Sequence, residues 1–238
     1  MEEAGRVSSG HTRILVTGGS GRLGAELRAY FPMAEYPSHQ QLDVRHMNSV
    51  TRWFGMHTVD LVIHLAAATR HDTPMADLVQ DNIVGTANVV LAARKQGARV
   101  VYTSTDYVYP GTAGGYRETD PVLPWNGYAW SKLGGETAVQ MYPNSLTVRG
   151  SWYSTLDYTV AATDAFTSKL PVHKAAFYVA ALSCSTLTGV VNIGGERRSI
   201  FEVALEFSPT VTPLSRKNLK WPVPPDVTVD TTKLRRLM

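Results

Sequence analysis

The stretch Ile14-Leu15-Val16-Thr17-Gly18-Gly19-Ser20-Gly21-Arg22-Leu23-Gly24 decides the fold. An apolar strand runs directly into glycines spaced three apart, at Gly18, Gly21 and Gly24, and then into the helical pattern Leu23 to Phe31. Each glycine has a physical task. Gly18 permits the tight turn, Gly21 lets backbone approach a pyrophosphate, and Gly24 lets the helix lie close to the sheet. The first N–H groups of the helix then face the phosphates. Gly18, Gly19, Ser20, Gly21, Arg22, Leu23 and Gly24 are therefore the candidate dinucleotide cradle.

Working outward, apolar runs alternate with helical patterns up to residue 150. Strands are expected at Arg13 to Thr17, Asp60 to Ala66, Ala98 to Tyr102 and Ser145 to Val148. Between them lie helices at Asp77 to Gln96, closed by Gly97, and at Tyr128 to Met141. Such alternation predicts an α/β fold with a doubly wound parallel sheet of Rossmann type. Residues 1–150 form the expected dinucleotide-binding domain, with 1–12 as a polar tail, and 151–238 a small substrate-binding region. In that region a helix is expected at Lys174 to Leu182, a strand at Gly189 to Ile193, and a helix capped by Ser199 with Glu202 three residues on. Five prolines beyond Ser208 exclude long regular elements there.

The 238 residues are 44% hydrophobic and 18% charged, so a sizeable core is expected and extended disorder is not. The apolar stretches, such as Leu61 to Ala68 and Ala175 to Leu182, are too short for a membrane span. The polar, acidic start at Met1-Glu2-Glu3 differs from a secretory signal, and one cysteine, Cys184, leaves no partner for a disulfide. A cytoplasmic location fits best. The net charge of +3 comes from the end of the chain: Arg216 to Met238 holds six basic and two acidic residues. A basic stripe with interleaved aromatics is missing from the body, so no nucleic-acid partner is expected. The histidines, His11, His39, His46, His57, His64, His71 and His173, show no paired ligand spacing on one helix, and no metal is expected.

The chemistry is carried by two further patterns. Tyr128-Ala129-Trp130-Ser131-Lys132 places a phenol and an ammonium four residues apart, on one face of a helix. A neighbouring ammonium stabilises a phenolate and would lower the tyrosine pKa towards the useful range for acid-base work. The strand end Thr103-Ser104-Thr105-Asp106-Tyr107 puts hydroxyls where ligands bind in open α/β sheets. A second strand is expected near Ala34 to His39, about 20 residues after the loop, but no acid stands at its likely end to hold a ribose 2′-hydroxyl, and Arg22 lies in the loop. Together these favour NADPH, with NADH as the alternative.

These patterns together resemble the extended short-chain dehydrogenase/reductase superfamily. Ser104 to Gly111, Tyr116 to Pro121, Asn126-Gly127-Tyr128, Ser131 to Glu136, Arg149 to Trp152 and Asp230 to Leu234 are similar to the dTDP-4-dehydrorhamnose reductase family within it. The resemblance implies an NADPH-dependent reductase of a nucleotide-linked 4-keto-6-deoxy sugar of dTDP- or UDP-4-dehydrorhamnose type. It implies Thr105, Tyr128 and Lys132 as the catalytic trio, with Tyr128 and Lys132 also meeting the cofactor and Lys132 touching the nicotinamide ribose. It also implies Asp43 and Val44 beside the adenine, and Leu65, Ala66 and Ala67, after His64, as the second wall of the cofactor cleft. Asn82 would support the sheet, and Thr105, Asp106, Tyr107 and Trp152 would meet the substrate. A homodimer follows by family analogy only. Family members run longer, and the shortfall falls between Trp152 and Gly195. Where the family has Arg-Pro and Asn-Ser near the C-terminus, this chain has Val223-Pro224 and Asp226-Val227. The regulatory β subunit of methionine adenosyltransferase resembles the same family, so a non-catalytic dinucleotide-binding role is the alternative. A bifunctional 3,5-epimerase/4-reductase is another.

Overall fold

The computed structural model describes residues 12–70, 72–154 and 158–238. The polar tail before residue 12, with His11, and also His71 lie outside the described residues.

The chain builds, in order, β1 (Ile14–Thr17), α1 (Arg22–Leu27), α2 (Met47–Met56), β2 (Leu61–His64) and α3 (Met75–Leu78). A π-helical turn (Val79–Val84) joins α3 to α4 (Gly85–Gln96), and β3 (Arg99–Thr103), α5 (Gly127–Gln140) and β4 (Ser145–Arg149) follow. Next come β5 (Trp152–Tyr153), β6 (Val160–Ala162), β7 (Phe166–Thr167), β8 (Leu170–Pro171), α6 (Val172–Ser183) and β9 (Gly189–Asn192). The chain ends with β10 (Arg198–Ser199), α7 (Ile200–Leu205), β11 (Thr212–Leu214) and α8 (Thr232–Arg235).

Five strands form one parallel sheet in the order β1-β2-β3-β4-β9. Side chains along each strand alternate between two buried faces. Leu15, Val62 and Val100 pack with Val50, Trp53 and Phe54 of α2 and Val89 and Ala93 of α4. Val16, Ile63, Val101 and Val191 pack with Leu23 and Leu27 of α1 and Ala175, Ala176 and Val179 of α6. Burial on both faces explains why these strands read as continuous apolar runs. The sheet does not stop at residue 150, because β9 from the C-terminal region closes its edge beside β4 and α6 covers one face.

The second strand expected near Ala34 shrinks to a single bridge between Leu15 and Glu35, held by Glu35 N–H to Ile14 O at 2.8 Å and Val16 N–H to Glu35 O at 2.9 Å. Pro32 and Pro37 flank it, and each removes a donor and fixes φ, which shortens any strand there. β1 thus has Glu35 on one side and β2 on the other. The chain reverses its winding between β1 and β2, and that is where an open α/β sheet opens a crevice beyond its carboxyl ends.

A buried polar chain fastens this crevice to the helices. Thr86 gives its hydroxyl proton to the Asn82 carbonyl (2.7 Å), so it can only accept from His64 Nε2–H (3.0 Å). His64 Nδ1 then accepts from the Thr17 hydroxyl at 2.6 Å. The ring is held neutral, and burial, followed by the Lys132 charge, pushes its pKa down to about 3. The unfolded chain therefore takes up this proton first. Stability from His64 is complete above about pH 6.5 and is lost as pH falls from there towards 3. The full expected loss is about 5 kcal/mol. Urea unfolding at pH 7 and pH 4.5 should show a steep fall for the wild type and a flatter one for His64→Gln; equal slopes would refute this role.

Candidate functional site

The glycine loop lies in the crevice with little freedom to change. Gly18 has φ +70°, and a Cβ there would stand 2.6 Å from the Ala66 amide nitrogen. The loop is therefore left-handed at Gly18 and pressed against the second wall at the same point. Gly24 packs against the loop itself, since a Cβ would lie 2.6 Å from Gly19 Cα and 2.8 Å from Gly18 O. Gly21 N–H bonds Gly18 O at 3.0 Å and closes the turn, and Ala25 N–H bonds Gly21 O at 2.9 Å. The first-turn N–H groups of α1 that follow are the ones a helix leaves for an outside acceptor. This cradle fits a dinucleotide pyrophosphate.

The loop floors a cleft of about 650 Å³. Gly18, Ser20, Gly21, Arg22, Leu23 and Gly24 line one side, and Leu65, Ala66 and Ala67 the wall beside it. Thr105, Tyr107, Tyr128 and Trp152 line the far side. A smaller recess of about 280 Å³ shares Gly18, Ser20, Ala66 and Ala67 and extends the cleft towards Val44, His39 and Arg45. Residues from both ends of the sequence pattern thus share one continuous groove. Four expected residues do not form its wall. Gly19 sits behind the loop, its Cβ direction filled by the Tyr36 ring. Asp43 is engaged by Arg45 through Nε at 2.9 Å and Nη2 at 2.7 Å. Asp106 and Lys132 lie beneath the surface, 1% and 2% exposed.

Thr105 caps a 3₁₀ turn (Asp106–Val108), accepting from Tyr107 N–H at 3.3 Å, and its hydroxyl donates to Asp106 Oδ1 at 3.3 Å. That donation is long and easily exchanged for a ligand oxygen. Ser151 also donates to Asp106, and burial raises the carboxyl pKa. Tyr128 enters from the second residue of α5, whose N-terminus is capped by Asn126 Oδ1 accepting from Ala129 N–H at 2.9 Å. Asn82, in the π-helical turn, brackets Ala68 N–H (2.8 Å) and O (2.9 Å) and donates to Ser131 Oγ at 2.8 Å. Ser131 in turn donates to Tyr128 O at 2.7 Å. One side chain therefore ties the second wall to the helix that carries Tyr128.

The electrostatics of the tyrosine-lysine pair differ from the sequence expectation. Burial, with the Asp106 charge adding to it, pushes the Tyr128 phenol up rather than down. The Lys132 ammonium rests 4.2 Å from the centre of the Tyr102 ring, and burial lowers its pKa to about 7. Without a ligand, Tyr128 is a firmly protonated donor and Lys132 is poised near neutrality. Behind the recess, hydrogen bonding from Arg45 holds Asp43 down at about 2.

A family model of the RmlD substrate binding domain matches residues 12–163. The chain belongs to the RmlD substrate binding domain family. This RmlD-family chain is 36% identical over 148 residues to the dTDP-4-dehydrorhamnose reductase of Burkholderia thailandensis, covering 59% of this chain and 50% of that protein. It is 32% identical over 142 residues to methionine adenosyltransferase 2 subunit beta of Pongo abelii, covering 53% and 42%. It spans about half the length of the curated relatives it matches. Its fold is like that of dTDP-4-dehydrorhamnose reductase from Bacillus anthracis, solved in complex with NADP, with TM-score 0.83, 24% identity and coverage of 94% and 91%.

Several residues of the groove escaped sequence reading in this RmlD-family chain. Asn126 stood inside a quoted motif, and its place before an apolar helix marks a cap. Ser151, which lines the cleft, likewise stood inside the quoted Arg149 to Trp152, whereas Lys169 in the cleft and His39 and Arg45 in the recess have no local pattern that marks them. Arg22 lines the cleft and not the recess, so the guanidinium at the far end of the groove is that of Arg45.

Gly18→Ala should cost about 1–2 kcal/mol of stability from its left-handed backbone. It should also weaken NADPH affinity about tenfold or more by displacing the loop from Ala66; titration by nicotinamide fluorescence reads this, and unchanged affinity would refute it. Lys132 gives a second expectation. Between about pH 7 and 10.5 the folded protein has shed a proton that the unfolded chain still holds, so stability rises with pH there. Lys132→Met should abolish that rise in denaturation midpoints measured at pH 7 and pH 9.5.

Proposed function

We propose that this chain is an NADPH-dependent reductase of a nucleotide-linked 4-keto-6-deoxy sugar, of dTDP- or UDP-4-dehydrorhamnose type, with NADH as the alternative cofactor. The observation that carries this reading is that Thr105 and Tyr128 line the same cleft as the glycine loop. The relatives named dTDP-4-dehydrorhamnose reductase support the substrate class.

Bound reduced nicotinamide supplies the hydride, two electrons and a hydrogen, to the ketone carbon. The rest falls to the chain's own residues. Thr105 turns its hydroxyl from Asp106 to the ketone oxygen and orients it. Tyr128 gives its phenolic proton to that oxygen, making the alcohol, and regains a proton from solvent. A raised phenol pKa keeps this proton in place until negative charge grows on the ketone oxygen. Lys132, one turn along the helix, offsets the phenolate as it forms. Trp152 and Tyr107 flank the sugar, Asp106 steadies Thr105, and Leu65 to Ala67 and Val44 line the path of the dinucleotide. A second copy of the chain in a homodimer rests on family analogy alone.

The likeness to methionine adenosyltransferase 2 subunit beta supports a second reading, a regulatory dinucleotide-binding protein. The two separate in one assay. The protein is mixed with NADPH, dTDP-4-keto-6-deoxyglucose and the matching epimerase, with the UDP sugar in parallel, and absorbance of the reduced nicotinamide is followed. Tyr128→Phe should slow its oxidation by about two orders of magnitude or more while leaving NADPH binding intact. NADPH binding by the wild type without oxidation above that variant would leave the regulatory reading.

A further inference from the structure

Past the end of β3 the chain carries three successive hydroxyls, and they are not treated alike. Thr103 Oγ1 donates to the His64 carbonyl oxygen at 3.5 Å, and Thr105 Oγ1 donates to Asp106. Ser104 Oγ, between them, has no hydrogen-bond partner among the described residues, although the residue is only 2% exposed. Two other buried side-chain atoms share this state among the described residues, Arg99 Nε and Thr147 Oγ1. Of the three residues, only Ser104 lines the cleft.

The backbone fixes where this hydroxyl belongs. Ser104 N–H donates to Val148 O at 2.7 Å, which carries the pairing of β3 with β4 one residue past Thr103. Side chains alternate along a strand, so Ser104 projects to the face that holds Val100 and Tyr102. Val139 of α5 packs on that face, and the Lys132 ammonium lies there over the Tyr102 ring. Ser104 therefore stands in the floor of the cleft, on the side of the helix that carries Tyr128 and Lys132.

The order of the cleft decides which ligand atoms come to that floor. The pyrophosphate belongs to the glycine loop at one end, and the ketone lies between Thr105 and Tyr128 at the other. For hydride to pass, the nicotinamide riboside must lie between them, over Ser104. The adenosine end goes to the recess, whose lining does not include Ser104. A riboside brings hydroxyls and a carboxamide, and a serine hydroxyl both donates and accepts. An unpaired buried hydroxyl is unfavourable in the free protein, and a ligand that completes it removes the penalty.

We propose that the Ser104 hydroxyl binds the nicotinamide riboside half of the cofactor and anchors it to the floor of the cleft. The inference rests on the reductase reading for the place of the ketone and adds a binding residue outside the trio of Thr105, Tyr128 and Lys132. It accounts for a hydroxyl at a buried position where alanine would leave no polar atom unpaired.

The test uses the full chain and reads stability and binding separately. In Ser104→Ala the urea midpoint of the cofactor-free protein should stay level or rise, because no bond within the protein is lost. NADPH, followed by nicotinamide fluorescence, should bind this variant about tenfold more weakly. Adenosine 2′,5′-bisphosphate, which lacks the nicotinamide riboside, should bind it as it binds the wild type. Thr147→Val removes an unpaired buried hydroxyl of β4 outside the cleft lining, and should leave NADPH affinity unchanged. A lower midpoint in Ser104→Ala, undiminished NADPH affinity, an equal loss for the bisphosphate, or an equal loss of NADPH affinity in Thr147→Val would overturn the proposal. Failure of the reductase reading looks different: NADPH affinity that depends on Ser104, with no NADPH oxidised when the keto sugar is supplied.

Discussion

The close approach of Gly18 to the Ala66 backbone is the constraint on which the site depends. It can be made only by a residue without Cβ, in a left-handed conformation, at the end of β1. Because the sheet winds outward in opposite directions from β1 and β2, the space beyond their ends is not roofed by a crossover helix. Pressing the loop into that space makes one wall from Gly18 to Gly24 and the other from Leu65 to Ala67. The rest of the groove follows from where β3 and α5 end: Thr105 lies two residues past Thr103, and Tyr128 stands in the first turn of a helix packed on the same sheet face as α4.

Behind the groove the protein keeps a polar core where apolar packing would be simpler. Thr17, His64, Thr86, Asn82, Ser131 and the Tyr128 carbonyl form one hydrogen-bonded series that crosses from β1 through β2 and the π-helical turn to α5. Buried polar groups cost stability unless every member is satisfied, and here each finds a partner. The return is position: a series of directional bonds fixes the distance between two walls more narrowly than interchangeable methyl contacts do. Arg149 and Glu136 perform the same service on the other side of α5, ion-paired in the interior and linked through the Tyr109 hydroxyl to Asn192 of β9.

The periodic features were legible because they are local. Strand positions, the Gly97 stop at φ +70°, the Ser199 and Glu202 capping box and the glycine cradle all follow from backbone preferences and side-chain period. Those elements agree with expectation to within a few residues, with α1 shorter than the apolar pattern suggests because Arg28 onward forms separate turns. The tyrosine-lysine pair was legible as a pair, but its electrostatics were not. Spacing places an ammonium near a phenol; it does not reveal that Asp106, 22 positions earlier, adds a buried negative charge, or that Lys132 spends its charge over the Tyr102 ring. The opposition of Arg22 and Arg45 teaches the same point, since both are ordinary exposed arginines in sequence and only their places along the groove distinguish them.

The sequence by itself determined the α/β alternation, the loop that must be glycine, and the residue types able to move a proton. These depend on interactions spanning a few residues, which the order of side chains specifies directly. The tertiary structure alone decided that β9 completes the first sheet, that Ser104 keeps an unpaired hydroxyl in the floor of the cleft, and that Asp43, Asp106 and Lys132 lie off the surface they were expected to form. Burial and charge coupling are sums over neighbours brought together from distant parts of the chain, so they exist only once the chain has folded.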